Sequence, residues 1–149
     1  MDQPRRKQLR LRDYDYAQNN AYFVTICTHN RARLFEAESE PGRMAEKWLL
    51  ELEQKYENIS IEKYIIMQDH VHFILLILSR EAATPLCKMI DWFKTMTANE
   101  YMRGVKAGAY PPFDGHVWQR NYYEHILRSE QEMLEAWKYI DNNRYECDL

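Results

Sequence analysis

Glycine is scarce in this chain, with four among 149 residues. Neither G-x-x-x-x-G-K nor G-x-G-x-x-G occurs, which excludes the phosphate cradles of nucleotide-binding enzymes. Cysteine is equally sparse. Cys27, Cys87 and Cys147 are odd in number and far apart. They make neither a C-x-x-C site nor a disulfide framework, and point to free thiols in a reducing cytoplasm. Long apolar runs are missing as well: the longest, Phe73–Leu78, is far too short to cross a bilayer. The first residues, MDQPRRKQLRLRD, lack the apolar stretch of a signal peptide, so no membrane partner is expected. Nor is there a surplus of positive charge. The formal net charge is −3, whereas phosphate binders usually present a basic surface. The distribution tempers that objection, because Arg5, Arg6, Lys7, Arg10 and Arg12 crowd the start while acids crowd Glu36–Glu57. The basic cluster reads either as a solvated tail or as an arm, residues 1–20, that touches nucleic acid.

What is present is a chain of one-domain length, 46% apolar, with eleven tyrosines and four tryptophans. A chain of this size buries about 68–70% of its unfolded surface. No repeat or linker interrupts it, so residues 1–149 read as a single domain. Ala21–Thr28 is rich in β-branched and aromatic residues and predicts a strand. Met44, Trp48, Leu52 and Tyr56 recur every four residues and predict an amphipathic helix. Ile59–Met67 and His70–Leu78 read as two strands joined at Gln68-Asp69. Thr84-Pro85 supplies an N-cap and a first-turn proline for a helix running to about Tyr101–Arg103. Val117–Leu127 reads as a fourth strand, and Ser129 to Glu132 as a capping box opening a last helix. The order β-α-β-β-α-β plus α predicts an α+β, ferredoxin-like antiparallel sheet. Its helices should lie on one face, leaving the other for ligand.

Two constellations carry chemistry. His70 and His72 are i and i+2 on a strand, so both imidazoles share a face. Neighbouring histidines can ligate one ion, although an isolated H-x-H reads more often as two half-buried polar residues at a strand start. Tyr139 and Asn143 are four apart and share a helix face, where a hydroxyl could stand beside an amide ligand. A tyrosine on an amphipathic helix can also simply be core. His29, His116 and His125 are isolated, with surface or packing roles. Tyr122 and Tyr123 are adjacent on a strand and point oppositely, one toward core and one available to stack on a base. Tyr22, Tyr64 and Tyr145 lack an asparagine four residues on along a helix.

Three strings in order, YFVTICTHNRARLF, MQDHVHFILLI and VWQRNYYEHILRSEQEMLEAWKYIDNN, resemble the REP-associated tyrosine transposases, of the single-tyrosine HUH transposase superfamily. The resemblance covers nearly the whole chain and implies a single-stranded DNA endonuclease and strand transferase working through a 5′-phosphotyrosine. It implies His70, His72 and Asn143 as metal ligands and Tyr139 as nucleophile. Arg31 and Arg33 follow its first strand, and Trp118, Gln119 and Arg120 match its W-Q-R segment; with the N-terminal basic residues they are the candidate DNA contacts. Gln68-Asp69 stands where the group usually has Pro-Asn, and Arg144 where Pro is common.

The chemistry agrees with that implication. A phosphodiester needs a cation to neutralise developing charge. Two imidazoles and an amide oxygen suit Mg²⁺ or Mn²⁺, tilting toward Mn²⁺. Tyrosine ordinarily titrates near pH 10, so its proton must be taken or its phenolate stabilised. The expected partner is single-stranded or hairpin DNA. Almost no linker separates the fourth strand from the tyrosine helix, which favours a monomer with its site in one chain over a homodimer sharing sites. Two other classes compete: a retired transposase that binds nucleic acid without cutting it, and a zinc hydrolase, for which no acidic ligand cluster is evident.

Overall fold

The structure is a computed structural model that describes residues 15, 20–79 and 84–146, the last three as backbone alone. Four strands form one sheet: β1 (Ala21–Cys27), β2 (Ile59–Met67), β3 (His70–Ile77) and β4 (Tyr123–Leu127). Among the described residues three α-helices accompany them, α1 (Glu40–Lys55), α2 (Leu86–Lys106) and α3 (Glu130–Glu146), with a short 3-10 turn at His29–Arg31. The sheet order is β2-β3-β1-β4 and every pairing is antiparallel, as the ferredoxin-like α+β pattern requires. Among the described residues no helix is long and apolar enough to cross a membrane. Arg5, Arg6, Lys7, Arg10, Arg12 and Cys147 lie outside the described residues.

Side-chain alternation sorts the sheet into two faces. Val24 and Ile26 of β1 and Val71, Phe73 and Leu75 of β3 point to one side. There they meet Met44, Ala45, Leu49 and Leu52 of α1 and Met89, Ile90 and Phe93 of α2. The Ser39 hydroxyl caps α1 by accepting the Gly42 amide at 3.1 Å. On the opposite side Ala21, Ile74, Leu76 and Leu127 meet Met133 and Ile140 of α3. The second face is therefore not bare. α3 lies on it, because its buried apolar stripe must find an apolar surface.

The strand expected over Val117–Leu127 is shorter in the structure. Only Tyr123–Leu127 pairs continuously with β1, and Trp118 makes an isolated bridge to Thr28. The cause is Trp118, which turns inward, stacks on Phe35 at 4.9 Å and donates its indole N–H to Thr97 Oγ1 at 2.8 Å. Beyond it the backbone leaves the sheet, and Lys94 Nζ donates to the carbonyls of Gln119, Arg120 and Asn121 instead. The cap of α2 also differs by one residue. Pro85 occupies the N-cap, and no side-chain hydrogen bond caps the helix. The last helix opens as expected: the Glu132 amide donates to Ser129 Oγ, and the Glu132 carboxylate accepts the Arg128 amide.

Candidate active site

β3 opens with His70 opposite Cys27 of β1, and His72 opposite Thr25. Both histidines point to the face that carries α3, since they share parity with Ile74 and Leu76. Their rings are 4.5 Å apart between centroids. α3 lays Asn143 over His70, with Asn143 Oδ1 3.2 Å from His70 Nε2, and Tyr139 one turn earlier over His72, with ring centroids 5.4 Å apart. Lys63 of β2 fixes the helix here. Its ammonium pairs with Asp141 at 2.6 Å and sits 5.1 Å from the Trp137 ring centroid. Asn143 is buried, whereas Tyr139 is 48% exposed, so the amide faces the protein while the hydroxyl remains open to a large ligand.

Each imidazole is held by a partner on its Nδ1. His72 Nδ1 lies 2.8 Å from Thr25 Oγ1, and its ring stacks on Phe23 at 5.3 Å. Burial, then the charges of His70 and Arg31, push the His72 pKa down to about 3, so the ring is neutral at neutral pH. If Nδ1 carries the proton and donates it to the hydroxyl, Nε2 keeps a lone pair for a ligand role. His70 Nδ1 lies 2.7 Å from Asp69 Oδ1, the carboxylate–imidazole arrangement that orients metal-ligating histidines. Arg31 closes the group with an ion pair to Asp69 at 3.1 Å. Burial would raise the Asp69 pKa, but hydrogen bonds from His70 and Arg31 outweigh it and hold the carboxyl below its ordinary value. Asn30 and Arg31 both take left-handed backbone, φ 57° and 55°. For arginine that conformation costs about 1 kcal/mol or more, sustained here by the contacts the bend allows.

Two imidazoles and one amide oxygen could hold a divalent cation and leave positions open for a ligand. His70 Nε2 and Asn143 Oδ1 lie 3.2 Å apart, so both could ligate one cation. Among the described residues no cluster of three or more His, Cys, Asp or Glu side chains is arranged to hold a metal. The trio of two imidazoles and one amide thus differs from a closed zinc site.

The structure gathers His70, His72, Tyr139 and Asn143, the four residues singled out in the sequence. Arg33 is close by, donating to Gln68 Oε1 at 2.8 Å. Gln119 and Arg120 are exposed at the same end of the sheet, where the Gln119 amide donates to the Cys27 carbonyl. Trp118 is the correction. At 6% exposure it packs the core and has no face to offer a base. Thr25, Asp69 and Phe23 complete the site without having been foreseen. Thr25 is recognisable only once the β1–β3 register is known, and Phe23 only once α3 is placed. His29 and His116 pair edge-on at 5.3 Å.

The fold recurs in solved structures. A REP-associated tyrosine transposase bound to a REP hairpin superposes with a TM-score of 0.64 at 15% identity, over 87% of this chain and 68% of that one. A candidate transposase of Deinococcus radiodurans matches with a TM-score of 0.58 at 18% identity, over 87% of this chain and 93% of its own. A Haemophilus influenzae protein of uncharacterised function is 30% identical over 159 aligned positions, 93% of this chain and 87% of that protein. Residues 16–143 match the family described as transposase IS200 like. With that match spanning the strand of the paired histidines and the helix of the tyrosine, the chain belongs to the IS200-like transposase family.

Proposed function

We propose that this transposase-family protein is a metal-dependent endonuclease and strand transferase for single-stranded DNA, using Tyr139 as nucleophile. The observation that carries the reading is how α3 meets β3: Asn143 lies 3.2 Å from His70 and Tyr139 lies against His72. His70, His72 and Asn143 would hold Mg²⁺ or Mn²⁺, which when bound neutralises charge on the scissile phosphate. The protein's own share is positioning. Asp69 and Thr25 fix the two imidazoles, and Phe23 meets Tyr139 edge-on at 5.8 Å. The phenolic oxygen bonds to phosphorus while the phosphorus–O3′ bond breaks, leaving a 5′-phosphotyrosine and a free 3′-hydroxyl. The phenol proton passes to solvent, which the half-exposed Tyr139 reaches, and the departing oxygen takes a proton from water. A 3′-hydroxyl attacking the phosphotyrosine reverses the step and rejoins strands without ATP.

A fold relative that binds a REP hairpin supports the choice of substrate class, and we assign the chain to the REP-associated group with single-stranded or hairpin DNA as partner. Arg31, Arg33, Gln119 and Arg120 ring the His70 end of the sheet and, with the basic arm of Arg5 to Arg12, supply phosphate contacts. The site is built in cis. Arg128 and Ser129 alone separate β4 from α3, too short a connection to reach a neighbour.

The deciding experiment incubates labelled single-stranded oligonucleotides with protein and Mg²⁺ or Mn²⁺ and looks for an SDS-stable adduct. The adduct is expected in the wild type and absent with excess EDTA. An adduct persisting in Tyr139→Phe would transfer the role to Tyr122, Tyr123 or Tyr145. Mixing Tyr139→Phe with His70→Ala protein should restore nothing; recovery of cleavage would mean a site shared between subunits.

A further inference from the structure

On the face that carries His72, Thr25 pairs with Tyr123 and Phe23 with His125 across β1 and β4. Between these strands and α3 runs an open groove of about 630 Å³, lined by Tyr139 and His72 together with Tyr123, His125, Glu132 and Glu135. Two observations define what it can hold. Tyr123 is 60% exposed, while its neighbour Tyr122 turns to the other face and packs on the helix-side core. A bare aromatic ring beside a nucleophile is a stacking platform for a base. The α3 side, in contrast, presents carboxylates. Glu132 accepts the Arg128 amide and Glu135 accepts the Gln131 side chain, and each ionised carboxylate has further lone pairs. Carboxylates repel a phosphate and accept from amino groups. Beside the phosphate position at His72 and Tyr139, the walls made by Tyr123, Glu132 and Glu135 therefore suit a base rather than a second phosphate.

We infer that this groove is a nucleobase subsite: it takes the base of one nucleotide flanking the scissile phosphate, stacked on Tyr123, and favours bases that carry an amino group. Adenine, cytosine and guanine present such a donor to Glu135, whereas thymine presents two carbonyls around its single N–H. The inference rests on Tyr139 as nucleophile and names the part of the substrate that the same site reads.

The test is equilibrium binding of pentanucleotides d(TTXTT), with X as A, C, G, T or an abasic residue, to the Tyr139→Phe protein. Amino-bearing X should bind about fivefold or more tightly than an abasic X, the lower end of one stacked base, and more tightly than X as T. Tyr123→Ala should erase the dependence on X, with an unchanged melting temperature showing that the exposed substitution leaves the fold intact. Glu135→Gln should narrow the gap between thymine and the other bases while keeping the gap to the abasic residue. Equal affinity for every X would overturn the subsite. The two readings fail separately. Cleavage without base dependence leaves the nucleophile and removes the subsite, and base-dependent binding by a wild type that forms no adduct leaves the subsite and removes the nucleophile.

Discussion

The two faces of the sheet are built to different standards. The face under α1 and α2 is filled with aromatic and aliphatic side chains at full burial, including Phe35, Phe73, Phe93 and Tyr101, and Trp118 is stacked into it. The face under α3 has a smaller apolar patch, to which the helix contributes Met133 and Ile140, while Leu134 and Tyr139 of the same helix stay exposed. Apolar area removed from water stabilises at about 25 cal/mol per Å², so the first face carries most of the fold's stability. The second spends its positions on imidazoles, an amide and a hydroxyl. A site this polar can sit on a sheet face because the other face already fixes the strands.

The sharpest way to break that division is to remove one oxygen. Tyr139→Phe should lower adduct formation and cleavage by about 10⁴-fold or more, the scale seen when a catalytic nucleophile is lost. Urea unfolding should move by no more than about 0.5 kcal/mol, as for a substitution at a surface position. Activity surviving in the variant would uncouple the α3 face from the chemistry.

Next in size are the ligands. His70→Ala and His72→Ala should each abolish cleavage and weaken Mn²⁺ binding measured by calorimetry. Asn143→Ala should do less, since a neutral amide is the poorer ligand. Equal Mn²⁺ affinity across wild type and the histidine variants would remove β3 from metal binding.

The opposite face should respond in the opposite currency. Phe93→Ala leaves a cavity among fully buried neighbours and should cost about 3–5 kcal/mol in urea unfolding. Adduct yield per folded molecule, measured well below the melting point, should stay near the wild-type value. A comparable loss of specific activity would mean that the helix-pair face shapes the site directly.

How much of this was legible beforehand follows the same divide. Periodicity fixed β2 to its exact ends and β3 to within one residue at its far end, because an apolar run after H-V-H has few other readings. Pairing His70 with His72, and Tyr139 with Asn143, followed from strand and helix periods alone. That the two pairs meet was implied by the family resemblance alone, because the helix's own residues do not state which sheet face α3 covers. Trp118 misled for a related reason: a β-rich string, V-W-Q-R-N-Y-Y, looks like one strand, and only tertiary packing against Phe35 and Thr97 makes its first half turn inward. The turn at Gln68-Asp69 is legible in the sequence, but the contacts of Thr25 and Asp69 depend on the β1–β3 register and on where Arg31 folds back, which local patterns do not specify.

The smallest expected effect tests whether polar contacts on the helix-pair face serve stability alone. Glu100 of α2 accepts Lys47 Nζ at 2.9 Å and Trp48 Nε1 at 2.8 Å from α1, stapling the two helices. Burial would raise its pKa, but the hydrogen bonds from Lys47 and Trp48, and then the charges of Lys47 and Arg103, outweigh that and lower it. A carboxylate with a depressed folded pKa stabilises fully above its unfolded value, near 4.3, and that contribution is lost as pH falls through the folded value. The group is partly open to water, so screening keeps the effect to about 1 kcal/mol. Glu100→Gln should therefore unfold at lower urea than the wild type at pH 7, and the two midpoints should converge as pH drops below about 4. A gap that persists unchanged at pH 3 would show that the neutral hydrogen bonds, not the charge, hold α1 to α2. Adduct formation at pH 7 should be the same in both proteins, since Glu100 lies on the face opposite Tyr139.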